Sequence, residues 1–171
     1  MQYHIPNELP YDFLKSIGIL SVNQVKIDLA NGSKKLECFN NVKTFLESND
    51  GEVQLGWVFA QLGNIVFKLN AHVVVKLPDG SFRCVTPSEH GDSEINFTPD
   101  NSVADLIVNN QLPSKAYSLV TDKVVEEFVK LENLENKMRL EKKVDAVAYI
   151  RDQKYQISNK LIESFTKNQQ L

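Results

Sequence analysis

From position 114 to its end the chain has neither glycine nor proline, although seven glycines and six prolines precede that point. Loss of both breakers over about 50 residues predicts helix. Apolar side chains recur there at Val124, Phe128, Leu131, Leu134 and Met138, then at Val144, Val147 and Ala148, close to the helical period. Thr121 or Asp122 can cap the start, and Glu126 and Glu127 fall where the helix dipole favours acids. The pattern loosens at Lys142–Lys143 and around Arg151–Asp152, which predicts two helices or one bent helix. No heptad register is sustained, so a long coiled coil is not favoured. The expected division is an α+β domain over 1–119 and a helical extension over 120–171, packed on the domain or used for association.

Before that point the period changes. Tyr11 to Ile19 reads as a short helix ended by Gly18, and Val25 to Leu29 alternates as a strand before an Asn31-Gly32 turn. Cys38 to Leu46 carries Phe39, Val42, Phe45 and Leu46 on one helical stripe. Glu52 to Leu62 and Ile65 to Leu77 predict two strands joined at Gly63-Asn64. Pro78-Asp79-Gly80 closes the second, Ser81 to Val85 starts a third, and Ile95-Asn96-Phe97 adds a short one. Ser102 to Asn109 predicts a helix capped by Ser102. The fold expected is α+β: a Cys-bearing helix on an antiparallel sheet, followed by the helical segment.

Composition narrows the function. An apolar fraction of 42% and a charged fraction of 24% over 171 residues are those of an ordinary globular chain. No apolar run reaches the ~20 residues of a membrane helix, and Met1 to Pro10 lacks the pattern of a signal peptide. A net charge of −3 argues against general binding to nucleic acid. Residues 1–119 hold 9 basic and 13 acidic side chains, residues 120–171 hold 10 and 9, so neither part has a basic footprint. Two cysteines, Cys38 and Cys84, are too few for a disulfide framework, so reduced thiols and a cytoplasmic location are expected.

Those residues also carry the candidate chemistry. Cys38 stands where a helix begins, and the positive end of the helix dipole favours a thiolate there. His72 lies in the apolar strand Ala71 to Val75, either buried and hydrogen-bonded or directed into a cleft. A thiol at a helix start facing an imidazole on a strand is the arrangement of papain-like thiol hydrolases, in which the imidazole takes the thiol proton and a third group orients it. Taken singly, Cys38, His72 and Cys84 each read as core residues rather than functional ones. Trp57 after Gly56 is either core or the floor of a substrate groove, and Asn41 is the other candidate for substrate binding. Cys38, His72, Cys84 and His90 are types that zinc accepts, but no Cys-x₂-Cys pair occurs and neither a metal nor a cofactor is expected. No glycine-rich turn opens a helix as a phosphate loop does.

The ordered segments Cys38-Phe39-Asn40-Asn41-Val42, Gly56-Trp57, Ala71-His72-Val73-Val74, Asp79-Gly80, Val85-Thr86-Pro87 and Phe97-Thr98-Pro99-Asp100 resemble a little-characterised bacterial group. That group pairs a Cys-x-x-Asn-Val helix start with a His-containing strand and a Val-Thr-Pro segment. In motif order the chain is also similar to amino-terminal glutamine amidases of papain-like or transglutaminase-like fold. The resemblance spans residues 36–100. It implies a Cys-His-Asp thiol hydrolase without cofactor, with Cys38 as nucleophile and His72 as base. The acid it implies is missing: Arg83-Cys84-Val85 occupies its place, and Asp79 lies in the preceding turn. Thr86, Asn70 or Asn41 is left to orient the imidazole.

Two readings follow. One is a cysteine-dependent hydrolase or acyl transferase acting on an amide bond of a peptide or protein, with Cys38, His72 and Thr86 at its centre. The other is an inactive relative of that fold that binds a partner, or a second copy as a homodimer, through its C-terminal helices.

Overall fold

The structure, a computed structural model, describes residues 1–89 and 91–169. Its elements are α1 (Tyr11–Ser16), β1 (Asn23–Lys26), α2 (Cys38–Leu46), β2 (Glu52–Leu62), β3 (Val66–Lys76), β4 (Phe82–Arg83), β5 (Glu94–Pro99), a 3₁₀ turn (Asn101–Leu106), β6 (Ser114–Ser118), α3 (Lys123–Leu140), α4 (Val144–Gln156) and α5 (Ser158–Asn168). The class is α+β, with helices on an antiparallel sheet. Its strands join in the order β1-β5-β2-β3-β4, and β6 also pairs with β3. Among the described residues no helix is long and apolar enough to cross a membrane.

Two expectations need correction, and one strand is additional. The helix expected over Ser102 to Asn109 is a 3₁₀ turn, and its cap is Asp100, whose Oδ1 accepts from the Ser102 amide at 2.9 Å. The C-terminal segment is three helices rather than two. Lys142, at φ +58°, breaks the first junction, and Ile157 breaks the second without glycine or proline. Strand β6 is not evident from the residue pattern, since Ser-Lys-Ala-Tyr-Ser carries a single short apolar alternation.

The chain forms two compact units. One comprises residues 18–58 and 71–105. In it β5 pairs antiparallel with β1 (Val25↔Ile95) and with β2 (Val58↔Phe97), and β3 pairs with β4 (Val75↔Arg83). The two ends of this path meet at a parallel bridge between Ile27 and Cys84: the Asp28 amide donates to Cys84 O at 2.9 Å, and the Cys84 amide donates to Lys26 O at 3.1 Å. Period-two alternation directs Val25, Val74, Cys84 and Phe97 into one buried cluster, flanked by Ile27, Val58, Phe82 and Ile95. Helix α2 buries Cys38, Asn41, Val42 and Phe45, at the spacing of one helical face. The Arg83 guanidinium lies 4.8 Å from the centre of the Phe45 ring.

The other unit comprises residues 1–17, 59–70 and 106–171. Its core gathers Leu62, Ile65, Val66, Ala116, Val125, Phe128 and Leu161. Asp122, rather than Thr121, caps α3, accepting from the amides of Val124 and Val125 at 2.8 and 3.2 Å. An unpaired strand edge invites association. Here α3 covers that of β6 with amide side chains: Asn133 accepts from the Ala116 amide at 2.8 Å and donates to its carbonyl at 2.9 Å, and Asn136 accepts from the Ser114 amide at 3.0 Å. Asn133→Ala should cost about 1–2 kcal/mol, the worth of two modest hydrogen bonds, read as a lower urea midpoint at constant slope.

Candidate functional site

The unit built on α2 and β4 collects the residues singled out above. The Val75↔Arg83 register, continued by one pair, brings Cys84 beside Val74, and period two puts His72 on that same face. His72 Nε2 lies 3.4 Å from Cys84 Sγ. The Cys84 thiol in turn donates to the carbonyl of Thr86 at 3.6 Å. With its proton committed to that carbonyl, the Cys84 sulfur is left to accept from Nε2–H. The neutral tautomer inferred from this network carries its lone pair on Nδ1, the nitrogen a base would use.

Cys38 opens α2, and its sulfur is placed against the backbone amide of Val73, the residue after His72. The two thiols stand near enough for charge on Cys38 to raise the pKa of Cys84. No hydrogen bond joins Cys38 to His72 among the described residues: the sulfur on the imidazole is that of Cys84, in the position where the resemblance expects an acid. Cys84, read from the sequence as core filling, is therefore both core and imidazole partner.

Thr86 and Asn41 are one step further out. Asn41 Nδ2 donates to Thr86 Oγ1 at 3.0 Å and to Lys34 O at 2.7 Å, while its Oδ1 accepts from the Lys34 amide at 3.0 Å. These bonds use both amide hydrogens and tie the loop before α2 to the segment after β4. Asn41 therefore spends its side-chain amide within the fold. Thr86 reaches the imidazole through its carbonyl and Cys84, not through its hydroxyl. Trp57 is 3% exposed and donates Nε1–H to Asp100 at 2.8 Å, so the indole belongs to the packing and offers no groove floor.

Burial sets the electrostatics. It raises the Cys38 thiol above its ordinary pKa, against the backbone N–H groups of Val73, Phe39 and Cys38 that favour the thiolate. This reverses the expectation of a preformed thiolate, because removing the sulfur from water outweighs the helix start. Burial likewise pushes Cys84 up to about 11 and lowers His72 to about 4. At neutral pH the site is two protonated thiols and a neutral imidazole.

Among the described residues no three His, Cys, Asp or Glu side chains converge as metal ligands. His90, the fourth of the zinc-accepting residues, lies outside the described residues.

Sequence reasoning missed a second polar centre, in the other unit. Glu132 is buried, and Lys68 binds its Oε2 at 2.8 Å while Lys154 binds its Oε1. Lys154 also reaches Glu135 at 2.7 Å, and Arg151 contacts Glu135 at 2.7 Å. One signal was available: Val125, Phe128 and Glu132 follow the spacing of a single helical face, so an acid occupies the buried stripe.

No family model matches this chain, and no curated protein and no solved structure matches it either.

Proposed function

We propose that this protein is a cysteine-dependent hydrolase or acyl transferase acting on an amide bond of a peptide or protein, with a site of papain-like or transglutaminase-like type. One observation carries the reading: His72 is held at 3.4 Å by the sulfur of Cys84, beside the strand residue whose amide meets the Cys38 thiol. Two elements 34 residues apart, the start of α2 and His72 in β3, thus supply a thiol and an imidazole to one region.

In this reading Cys38 Sγ attacks the carbonyl carbon while its proton passes to His72 Nδ1. The pair rests neutral, so proton transfer accompanies attack instead of preceding it. Backbone N–H groups at the start of α2 stabilise the oxyanion. The tetrahedral adduct expels the amine, which takes the proton back from the imidazolium. Water then resolves the thioester in a hydrolase, and a second amine does so in a transferase. Cys84 holds the ring, the task an amide performs in papain-like sites.

p-Nitrophenyl acetate, a generic acyl donor, tests this by intact-protein mass spectrometry. The expected product is a single acetyl on Cys38. Cys38→Ser should abolish it, and His72→Ala should slow it by roughly 10²-fold, the lower end of general-base contributions. Because the imidazole is neutral down to about pH 4, the acid limb of the acylation rate should fall near pH 4 rather than near that of a free histidine. Iodoacetamide labelling of Cys38 should be slow at pH 7 and rise at alkaline pH. Acylation at the wild-type rate in His72→Ala would sink the proposal.

A second reading has its own support. Val144, Tyr149, Tyr155 and Ile162 are exposed on α4 and α5, with Tyr155 79% accessible. An inactive protein that associates through these helices would account for them, and sedimentation that stays monomeric at every concentration would remove the homodimer form of that reading.

A further inference from the structure

Asn31 is the one asparagine of the chain followed by glycine, and both residues are exposed. They form a turn closed by a single backbone bond, in which the Ser33 amide donates to Ala30 O at 3.1 Å. Gly32 has a φ of +76°, and a Cβ there would meet nothing within 4 Å. Among the described residues neither the Asn31 side-chain amide nor the Gly32 N–H makes a hydrogen bond.

Asparagine is chemically labile because its side-chain carbonyl carbon lies within reach of the next residue's backbone nitrogen. Two things ordinarily prevent the attack: a following side chain that crowds the nitrogen, and hydrogen bonds that hold the groups apart. Glycine removes the first, and this turn lacks the second. Other pairs in the chain are protected. Asn101 precedes the small residue Ser102, but its Oδ1 accepts from Gln54 at 2.8 Å and the Ser102 amide donates to Asp100 at 2.9 Å. In Asp79-Gly80 the Gly80 amide donates to Leu77 O at 2.9 Å and the Asp79 carboxylate is held by Ser81. Attack at Asn31 needs rotation about its Cα–C bond, and the open space around Gly32 leaves the turn room for it.

We propose that Asn31 is a self-modifying site, converting to aspartate and isoaspartate in the folded chain without an enzyme. The Gly32 nitrogen attacks Asn31 Cγ, and the amide nitrogen leaves as ammonia, taking the proton that Gly32 N gives up. Water then opens the resulting succinimide. Cleavage between the ring nitrogen and Cγ gives aspartate, and cleavage between that nitrogen and the backbone carbonyl carbon gives isoaspartate. The sum is amide plus water to carboxylate plus ammonium, with no oxidant or reductant. The product carries one negative charge beyond the −3 of the unmodified chain. Isoaspartate also adds a main-chain carbon in the loop leading into α2, just before Lys34, whose amide and carbonyl are both held by Asn41. The modification is independent of the thiol chemistry.

Incubation of the full chain at neutral and alkaline pH, followed by peptide mapping with electron-transfer fragmentation, tests it, because that fragmentation separates aspartyl from isoaspartyl products. Asn31 should convert before any other asparagine, to a mixture of both, and faster at alkaline pH, where the attacking nitrogen more readily loses its proton. Because exposed loops open at little cost, the folded rate should lie within about tenfold of the rate in urea. Asn101 should react appreciably only in urea. Gly32→Ala should slow conversion at least tenfold in urea as well as in the folded chain, a comparison that any effect of the substitution on folding leaves intact. A folded rate more than tenfold below the unfolded one, earlier conversion of another asparagine, or wild-type speed in Gly32→Ala would each overturn the proposal.

Discussion

Gly56→Ala should destabilise the unit of residues 18–58 and 71–105 by about 3 kcal/mol, the upper end of ordinary overpacking costs. Gly56 lies in β2 opposite Pro99 of β5, and a methyl there would meet Thr98 O at 2.1 Å and Phe97 Cζ at 2.5 Å. Neither neighbour can retreat. The Thr98 carbonyl is backbone, held between the β2–β5 pairing and the Asp100 amide that donates to Leu55 O at 2.9 Å. The Phe97 ring is fully buried and packs edge-on against Phe82, with centroids 5.6 Å apart. The chain's single tryptophan is the next residue, so Trp57 fluorescence reports this region directly in a urea titration. Gly80→Ala is the control: a Cβ there meets nothing, and only the positive φ of 86° opposes it, at about 1 kcal/mol. A Gly56→Ala midpoint within error of wild type would mean that β5 is free to move away from β2.

Glu132→Ala should cost about 3–5 kcal/mol, the penalty for breaking a buried ion pair from one side. The substitution strands Lys68 and Lys154, both with mostly buried side chains, beside an apolar core. Burial by itself raises the Glu132 pKa, but the two lysines outweigh it and the carboxyl is held below the usual range. The sign follows: a depressed carboxyl adds stability above its unfolded pKa of ~4.3, and that stability is lost as pH falls through the lower folded value. The gap between wild type and Glu132→Gln, measured by urea unfolding, should therefore be full at pH 7 and shrink below pH 4. Replacing all three partners together, as Lys68→Met, Glu132→Leu and Lys154→Met, should recover much of the loss, because an apolar cluster needs no counter-charge. Equal stability of Glu132→Ala and wild type at pH 7 would show that the lysines reach water without it.

Elements with strong periodicity are legible in the residue pattern alone. Helix α2 has the bounds its apolar stripe predicts, β2 does too, and β3 differs by one residue at each end. Gly63, at φ +56°, makes the turn between them, as the Gly-Asn pair indicates. Each depends on neighbours a few residues away, so pattern alone suffices. That His72 lies against Cys84, and that Asn41 bonds to Thr86, was not legible, since spacing along the chain says nothing about distance in space.

What the chain could not reveal locally is which groups meet. Strand β6 exists because β3 offers an edge and because Asn133 and Asn136, about 20 residues later, satisfy the other side. The imidazole's partner is Cys84 because the Val75↔Arg83 register and the Ile27 bridge bring β4 to that place. A shift of one residue would turn Cys84 to the opposite face. The thiols are protonated because desolvation, a property of the packed interior, exceeds the helix-start effect that sequence position suggests. Period and breakers determine elements through short-range sterics and hydrogen bonding; register, burial and the pairing of charges are decided where distant segments exclude water from one another.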